Sequence, residues 1–171
     1  MNGEKNGKMK EYHNNRRIKF EGEYSKDKIN GKGKEYDENG ELIFEGEYLN
    51  GKKHGKAKEY WGNGKLKFEG EYLNGERNGK GKEYDTDGKL EFEGKYLNWK
   101  RHGKGEEYYD GNLVFEGEYL DGERNGKGKE YDTSCCIIFE GLYINGKLNG
   151  KGREYFYDFD KDPEYAKFFI K

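Results

Sequence analysis

The stretch FEGEYLNGKKHGKAKEYWGNGKLK, Phe44 to Lys67, decides the fold. Its first tract, entered from Leu42-Ile43, alternates. Leu42, Phe44, Gly46 and Tyr48 fall on one face of an extended strand, with Glu45 and Glu47 on the other. Asn50-Gly51 supplies the positive φ of a tight turn, Lys56 to Tyr60 runs extended again, and Gly62-Asn63-Gly64 turns the chain a second time. The stretch therefore predicts a β-hairpin followed by a further turn. Gly46 stands between two large rings, and glycine inside a strand is unfavourable unless a ring or backbone lies across it. An aromatic side chain from an adjacent strand is expected to fill that gap.

Phe-Glu-Gly-x-Tyr begins six times, at Phe20, Phe44, Phe68, Phe92, Phe115 and Phe139, at spacings of 24, 24, 24, 23 and 24 residues. One small unit is copied in tandem, and units of this kind touch only their neighbours. Asn2 to Tyr12 aligns with Asn50 to Tyr60, so a partial unit (2–19) precedes the full ones. The expected architecture is all-β: an elongated, twisted, single-layer antiparallel β-meander of tandem hairpins, solenoid-like, over residues 1–155. Two strands per unit at about 4.8 Å each give a length of roughly 60 Å. Helix is disfavoured across the array, because 28 of the 171 residues are glycine and each costs about 1 kcal/mol inside a helix. Residues 156–171 read as a C-terminal cap. There Asp162, Pro163 and Glu164 carry a helix-start signal. Tyr165, Phe168 and Phe169 would then form the apolar stripe of a short capping helix over the last strand.

Charged residues make up 40% of the chain and hydrophobic ones only 30%, a balance that on its own points to disorder. The aromatics decide otherwise. Six Phe, six following Tyr and a further file of seven Tyr from Tyr12 to Tyr155 hold fixed places in the unit, and a disordered chain has no reason to keep large rings in register. The net charge of −2 comes from interspersed charges, which excludes the net basic face of a nucleic-acid binder. Lys8, Lys32, Lys56 and their equivalents, with Glu11, Glu35, Glu59 and theirs, are expected to form cross-strand ladders. Cys135 and Cys136 are adjacent and the only cysteines, so there is no disulfide framework, and a reducing cytoplasm is the expected setting. His54 and His102 lie too far apart to share a metal. Nucleophile-elbow, phosphate-loop and zinc spacings are absent, and nothing marks a buried carboxylate for acid–base work. The reading is of a non-enzyme without cofactor or metal.

The unit resembles the MORN repeat, whose pattern is aromatic-x-Gly-x-aromatic, a Gly turn, then Gly-x-Gly. Here these are Phe68-Glu69-Gly70-Glu71-Tyr72, Gly75 and Gly79-Lys80-Gly81. The resemblance covers residues 2–155; the unit is one residue longer than the usual 23 and carries Tyr where the family often has Trp. It implies a β-meander with an aromatic-lined groove serving as a protein-interaction scaffold, with dimers and membrane or phosphoinositide association as family variants.

Specificity is expected where copies differ. The residue after each unit's last Tyr is Asp37, Trp61, Asp85, Tyr109, Asp132 and Phe156 in turn, a super-period of 48 residues. Trp61, Tyr109 and Phe156 would line one edge as contacts, or pack on neighbouring loops. Trp99 replaces the turn glycine found at Gly51, Gly75, Gly122 and Gly146, and Cys135-Cys136 fills a turn that elsewhere holds Gly40, Gly64 or Gly88. The expected partner surface comprises Tyr48, Phe68, Tyr72, Phe92, Tyr96, Phe115 and Tyr119 as floor, with Trp61, Trp99 and Tyr109 at the margins. Its partner would be another protein, as a peptide or helix, or a second copy of the chain. The alternatives are a peripheral membrane module presenting Lys52, Lys53, Lys100, Arg101 and Arg124 to anionic headgroups, and a self-assembling structural protein.

Overall fold

The structure is a computed structural model that describes residues 3–150 and 152–155, together with the backbone of residues 169–170. It divides into two compact units, residues 1–89 with 97–99 and residues 90–96 with 100–171. The first holds β1 (Gly7–Tyr12), β2 (Ile18–Ser25), β3 (Lys28–Tyr36), β4 (Leu42–Leu49), β5 (Lys52–Tyr60), β6 (Leu66–Leu73) and β7 (Glu76–Tyr84), paired in chain order and antiparallel throughout. The second is built from β8 (Leu90–Leu97), β9 (Lys100–Tyr109), β10 (Asn112–Leu120), β11 (Glu123–Tyr131) and β12 (Ile137–Ile144), again in chain order. The two-residue strands β13 (Lys147–Leu148) and β14 (Arg153–Glu154) both pair with β12, and β15 (Phe169–Ile170) pairs with β14. The all-β, single-layer antiparallel meander agrees with the sequence reading, and no described residue is helical. The expected capping helix falls on residues 156–168 and 171, outside the described residues. Phe169, assigned to its apolar stripe, lies instead in a strand.

Register explains how a single layer makes an interior. Along β6 and β7, Phe68 faces Glu83, Gly70 faces Gly81 and Tyr72 faces Arg77; β10–β11 repeats this pattern, and β2–β3 repeats it with Ile29 facing Tyr24. Each Phe ring folds back along its own strand and lies across the facing glycine pair. A Cβ built at Gly70 would sit 2.6 Å from Cζ of Phe68 and 2.8 Å from Cα of Gly81. The ring over the strand glycine is thus the strand's own Phe, not one from an adjacent strand. The partner glycine lies under that same Phe and also under a ring from its other neighbour, Tyr48 at Gly33 and Tyr143 at Gly128. Ala57 interrupts the pairing, facing Gly46 in β4–β5 and Gly70 in β5–β6.

The two edges of the meander are built differently. At the hairpin edge each turn is hydrogen-bonded to the turn before it. Gly51 N–H donates to Ile29 C=O at 2.8 Å, Gly75 to Lys53 at 2.8 Å and Trp99 to Arg77 at 3.1 Å. In the second unit Gly122 donates to Arg101 and Gly146 to Arg124. At the opposite edge the turns alternate, which gives the 48-residue super-period a physical meaning. Asp37 and Asp85 close their own turns, each Oδ1 accepting two backbone N–H groups at 2.8–2.9 Å. Trp61 instead leans forward: its indole N–H donates to Tyr84 C=O at 3.1 Å, and Asn63 of the same turn donates to Thr86 C=O at 2.8 Å. His13 and Asn15 make the same reach to Tyr36 and Glu38. The single 23-residue spacing comes from a two-residue turn, Asp110-Gly111, with φ of 52° and 84°, the signature of a type I′ hairpin.

Two measurements follow from this backbone. Gly70→Ala should lower the stability of the chain by about 1–3 kcal/mol in chemical denaturation, the usual cost of overpacking. Cys135 has φ of 61°, where the equivalent Gly40, Gly64 and Gly88 have 88°, 78° and 84°. Cys135→Gly should therefore stabilise the chain by about 1 kcal/mol, read as a raised unfolding midpoint.

Candidate functional site

Phe and Tyr alternate along one face of each unit and interlock edge to face. Phe44 meets Tyr48 at 5.6 Å and Tyr72 at 5.7 Å between ring centroids, and Phe20 meets Tyr24 and Tyr48 in the same way. In the second unit Phe115 lies between Tyr119 at 5.8 Å and Tyr143 at 5.2 Å. Each such pair adds about 0.5–1.5 kcal/mol beyond the area it buries.

A charged layer covers these rings. The residue facing each unit's Tyr is basic in the middle repeats. Lys53 Nζ lies 3.6 Å from the Phe44 centroid, Arg77 Cζ 3.9 Å from Phe68, Arg101 Cζ 4.2 Å from Phe92 and Arg124 Cζ 3.8 Å from Phe115. Carboxylates hold the cations there, from the strand on the far side of the ring and, for Arg77, also from its own strand. Arg77 donates Nε and Nη2 to the two oxygens of Glu59, both at 2.9 Å, and Nη1 to Glu83 at 2.9 Å. Tyr72 O–H donates to the same Glu59 oxygen that takes Nε. Glu35 accepts from Tyr48 at 2.7 Å and Lys53 at 2.9 Å, while Glu107 accepts from Tyr119 and Arg124, with Arg101 3.6 Å away. The opposite face carries a second file, in which Tyr36, Tyr60 and Tyr84 donate to Glu21, Glu45 and Glu69 at 2.6–2.8 Å.

Burial works against ionisation of Glu59, but the hydrogen bonds from Arg77 and Tyr72 and the Arg77 charge outweigh it and hold its carboxyl below the usual range. Glu107 is lowered in the same way by Arg124 and Tyr119. Burial, reinforced by the acceptor carboxylates, raises Tyr48, Tyr72 and Tyr119 well above the ordinary phenol value. Both shifts lock the charge states in place. A general acid needs the opposite, a carboxyl raised toward neutrality. Among the described residues no group of three or more His, Cys, Asp or Glu is arranged to hold a metal ion, and no helix is long and apolar enough to cross a membrane.

The expected floor residues are thus interior. Phe68, Phe92 and Phe115 have no exposed surface at all, and Tyr48, Tyr72, Tyr96 and Tyr119 are also buried. A partner on this face meets the charged layer first. Of the marginal rings, Trp61 is half-buried against the next turn, with Lys67 Nζ 4.5 Å over it. Trp99 is 48% exposed and Tyr109 73% exposed. Phe156 lies outside the described residues. The sequence reading missed Arg77 and took Lys53, Arg101 and Arg124 for turn cations available to headgroups, whereas all of them lie over rings. The available signal was Lys53, Arg77, Arg101 and Arg124 sharing one position of the unit, five residues after the second ring. Cys135 and Cys136 are free thiols.

Trp99 belongs to this layer. It sits at φ of 72°, packs edge-on to Tyr72 at 5.8 Å and lies 5.7 Å from the Arg77 guanidinium.

The ionisation pattern fixes a stability profile. The glutamates lie below their ordinary value of 4.5, so the stability they contribute is present above that pH and lost as pH falls through the lowered values. The tyrosines lie above 10.0, so their contribution is full below pH 10 and lost as pH rises further. Urea midpoints should be flat between about pH 5 and about pH 9.5 and fall on both sides. Most of the rise in phenol absorbance at 295 nm should accompany loss of the β-sheet signal, because Tyr48, Tyr72 and Tyr119 stay protonated while the sheet holds them.

A family model described as the MORN repeat matches six segments, residues 20–41, 44–65, 68–89, 92–113, 115–134 and 139–161. No curated protein sequence matches the chain.

Proposed function

The chain belongs to the MORN-repeat family, and we propose that it is a non-catalytic scaffold that binds a protein segment, a peptide or a helix, along the aromatic face of its repeats. MORN repeats are protein- and membrane-interaction units without catalytic residues of their own. The observation that carries the reading is Trp99. A large ring is held half-exposed at a left-handed backbone position where four equivalent turns use glycine. A non-glycine residue there costs about 1–2 kcal/mol, and such strain collects at binding sites.

The buried rings serve as a rigid bed, and the partner reads what stands on them. Arg77 and Trp99 form the centre, and Trp and Arg are the residue types that dominate interface energies. Glu83, salt-bridged to Arg77 at 2.9 Å, adds an acceptor beside them. Tyr109 is a separate exposed contact in the second unit. A second copy of the chain is the other protein occupant of the same face. Free Cys135 and Cys136 suit a reducing, cytoplasmic setting. A peripheral membrane role is less favoured, since Lys53, Arg101 and Arg124 are held over rings and paired with carboxylates.

The test is Trp99→Gly, which restores the turn's usual residue. Circular dichroism should match wild type and the unfolding midpoint should not fall, because relief of the backbone strain offsets the lost contacts with Tyr72 and Arg77. A protein recovered on the wild-type chain should bind the variant at least tenfold more weakly, and a wild-type dimer seen by light scattering should become a monomer. Equal binding or unchanged dimerisation would sink this reading.

A further inference from the structure

The face opposite the rings carries a backbone feature that repeats from hairpin to hairpin. The returning strand bulges at a glycine of positive φ, as at Gly31, Gly55, Gly79 and Gly126. In these four hairpins a glutamate of the preceding strand lies over the bulge. A Cβ built at any of the four glycines would collide with Oε2 of Glu23, Glu47, Glu71 or Glu118 in turn. Glu118 also accepts the backbone N–H of Lys127, the residue after Gly126, at 3.1 Å. The bulge is thus a small anion cradle that each repeat fills with its own carboxylate.

The hairpin of β8 and β9 is the exception, because Lys95 stands where the others have glutamate. The backbone is unchanged: Gly103 has φ of 67°, against 68° at Gly55. Only the Lys95 stem lies over it, with Cδ 3.5 Å and Cβ 3.9 Å from a Cβ built there. That is ordinary van der Waals contact, so the stem stands farther from the glycine than the carboxylates do. Lys95 is exposed and makes no ion pair among the described residues. Glu118 faces Lys104 across β9 and β10, but its Oε2 is bonded to the Lys127 N–H. The Lys104 N–H, equivalent to that of Lys127, has no side-chain acceptor among the described residues. His102, next in the chain to Gly103, supplies a second observation: its Nδ1 is buried without a hydrogen-bond partner. The equivalent His54 faces Glu47. Buried polar atoms are normally paired, and an orphan calls for an explanation.

We propose that the β8–β9 bulge is a binding site for an external carboxylate, held by the Lys104 backbone N–H and the Lys95 ammonium, with His102 beside them. The ligand class follows from the four equivalent bulges, each of which holds a carboxylate of its own chain. Hydrogen bonds to an ionised acceptor are about twice as strong as neutral ones, and Lys95 adds a positive charge that the other bulges lack. The carboxylate comes from a free small acid or from a glutamate of a bound protein.

The experiment follows backbone amides of the isotope-labelled full chain by NMR while sodium acetate, methanesulfonate or chloride is added at constant ionic strength. Acetate should shift the Lys104 amide saturably, with affinity about tenfold above that of chloride or of methanesulfonate, which carries the same charge. Lys95→Glu restores the carboxylate of the other repeats and should abolish the acetate response. Lys95→Gln should weaken it while circular dichroism stays at wild type. Glu118→Lys should give the Lys127 amide the response that Lys104 has. A capped Gly-Glu-Gly peptide separates the sources: affinity about tenfold above acetate assigns the site to a protein's glutamate, and equal or lower affinity to a free small acid. A Lys104 amide that acetate leaves unshifted or shifts no more than the other anions do, or a Lys95→Glu chain that still binds acetate, overturns the proposal.

Discussion

A phenylalanine lying back across a pair of facing glycines is the contact on which the other features depend. A single sheet has no second layer to bury its rings against, so the strand supplies the surface itself. Removing both Cβ atoms under Phe68 lets the ring reach the backbone of Gly70 and Gly81. The ring then stands low enough for Tyr72 to meet its edge and for Arg77 to lie over its face. Ala57, opposite Gly46, shows that one methyl can be accommodated in one of these pairs.

The charged layer follows from the same arrangement. Rings exposed on an open face would invite aggregation, and a guanidinium covers a ring while presenting polar edges to water. Arg77 and Arg124 do this in the two units, each joined to two carboxylates. Breaking such a pair by removing one partner is more harmful than replacing the whole pair with apolar groups, because it strands a charge. The face is therefore rigid, and Trp99 has a fixed seat on it.

Much of this was legible in the residues. Period-two alternation placed Phe44 and Tyr48 on one face, and the spacing of Phe-Glu-Gly-x-Tyr gave the hairpin order. The cation layer was not legible. Lys53 and Arg124 sit beside turns, where basic residues are usually solvated, and only the bulged register next to Gly46 and Gly117 swings them over the rings. The floor was misjudged for accessibility for the same reason: alternation tells which face Phe68 points to, not what lies above it. The alternation of Asp85 with Trp61 was visible as a pattern, but its cause, an indole donating to the carbonyl of a turn 23 residues on, needed coordinates.

The two edges of the meander place different demands on chain length. Every hairpin turn is tied to the turn before it, so inserting or deleting a residue at Asn50-Gly51 would break a hydrogen bond to a neighbouring repeat as well as its own geometry. At the other edge one turn has already lost a residue, at Asp110-Gly111, and β9 and β10 still pair around it. Evolutionary gaps, reporter loops and fused domains therefore belong at that second edge near positions 110–111, and not at the Trp61–Asn63 turn, whose side chains reach the next turn. Indels there leave the repeat periodicity of the ring face intact.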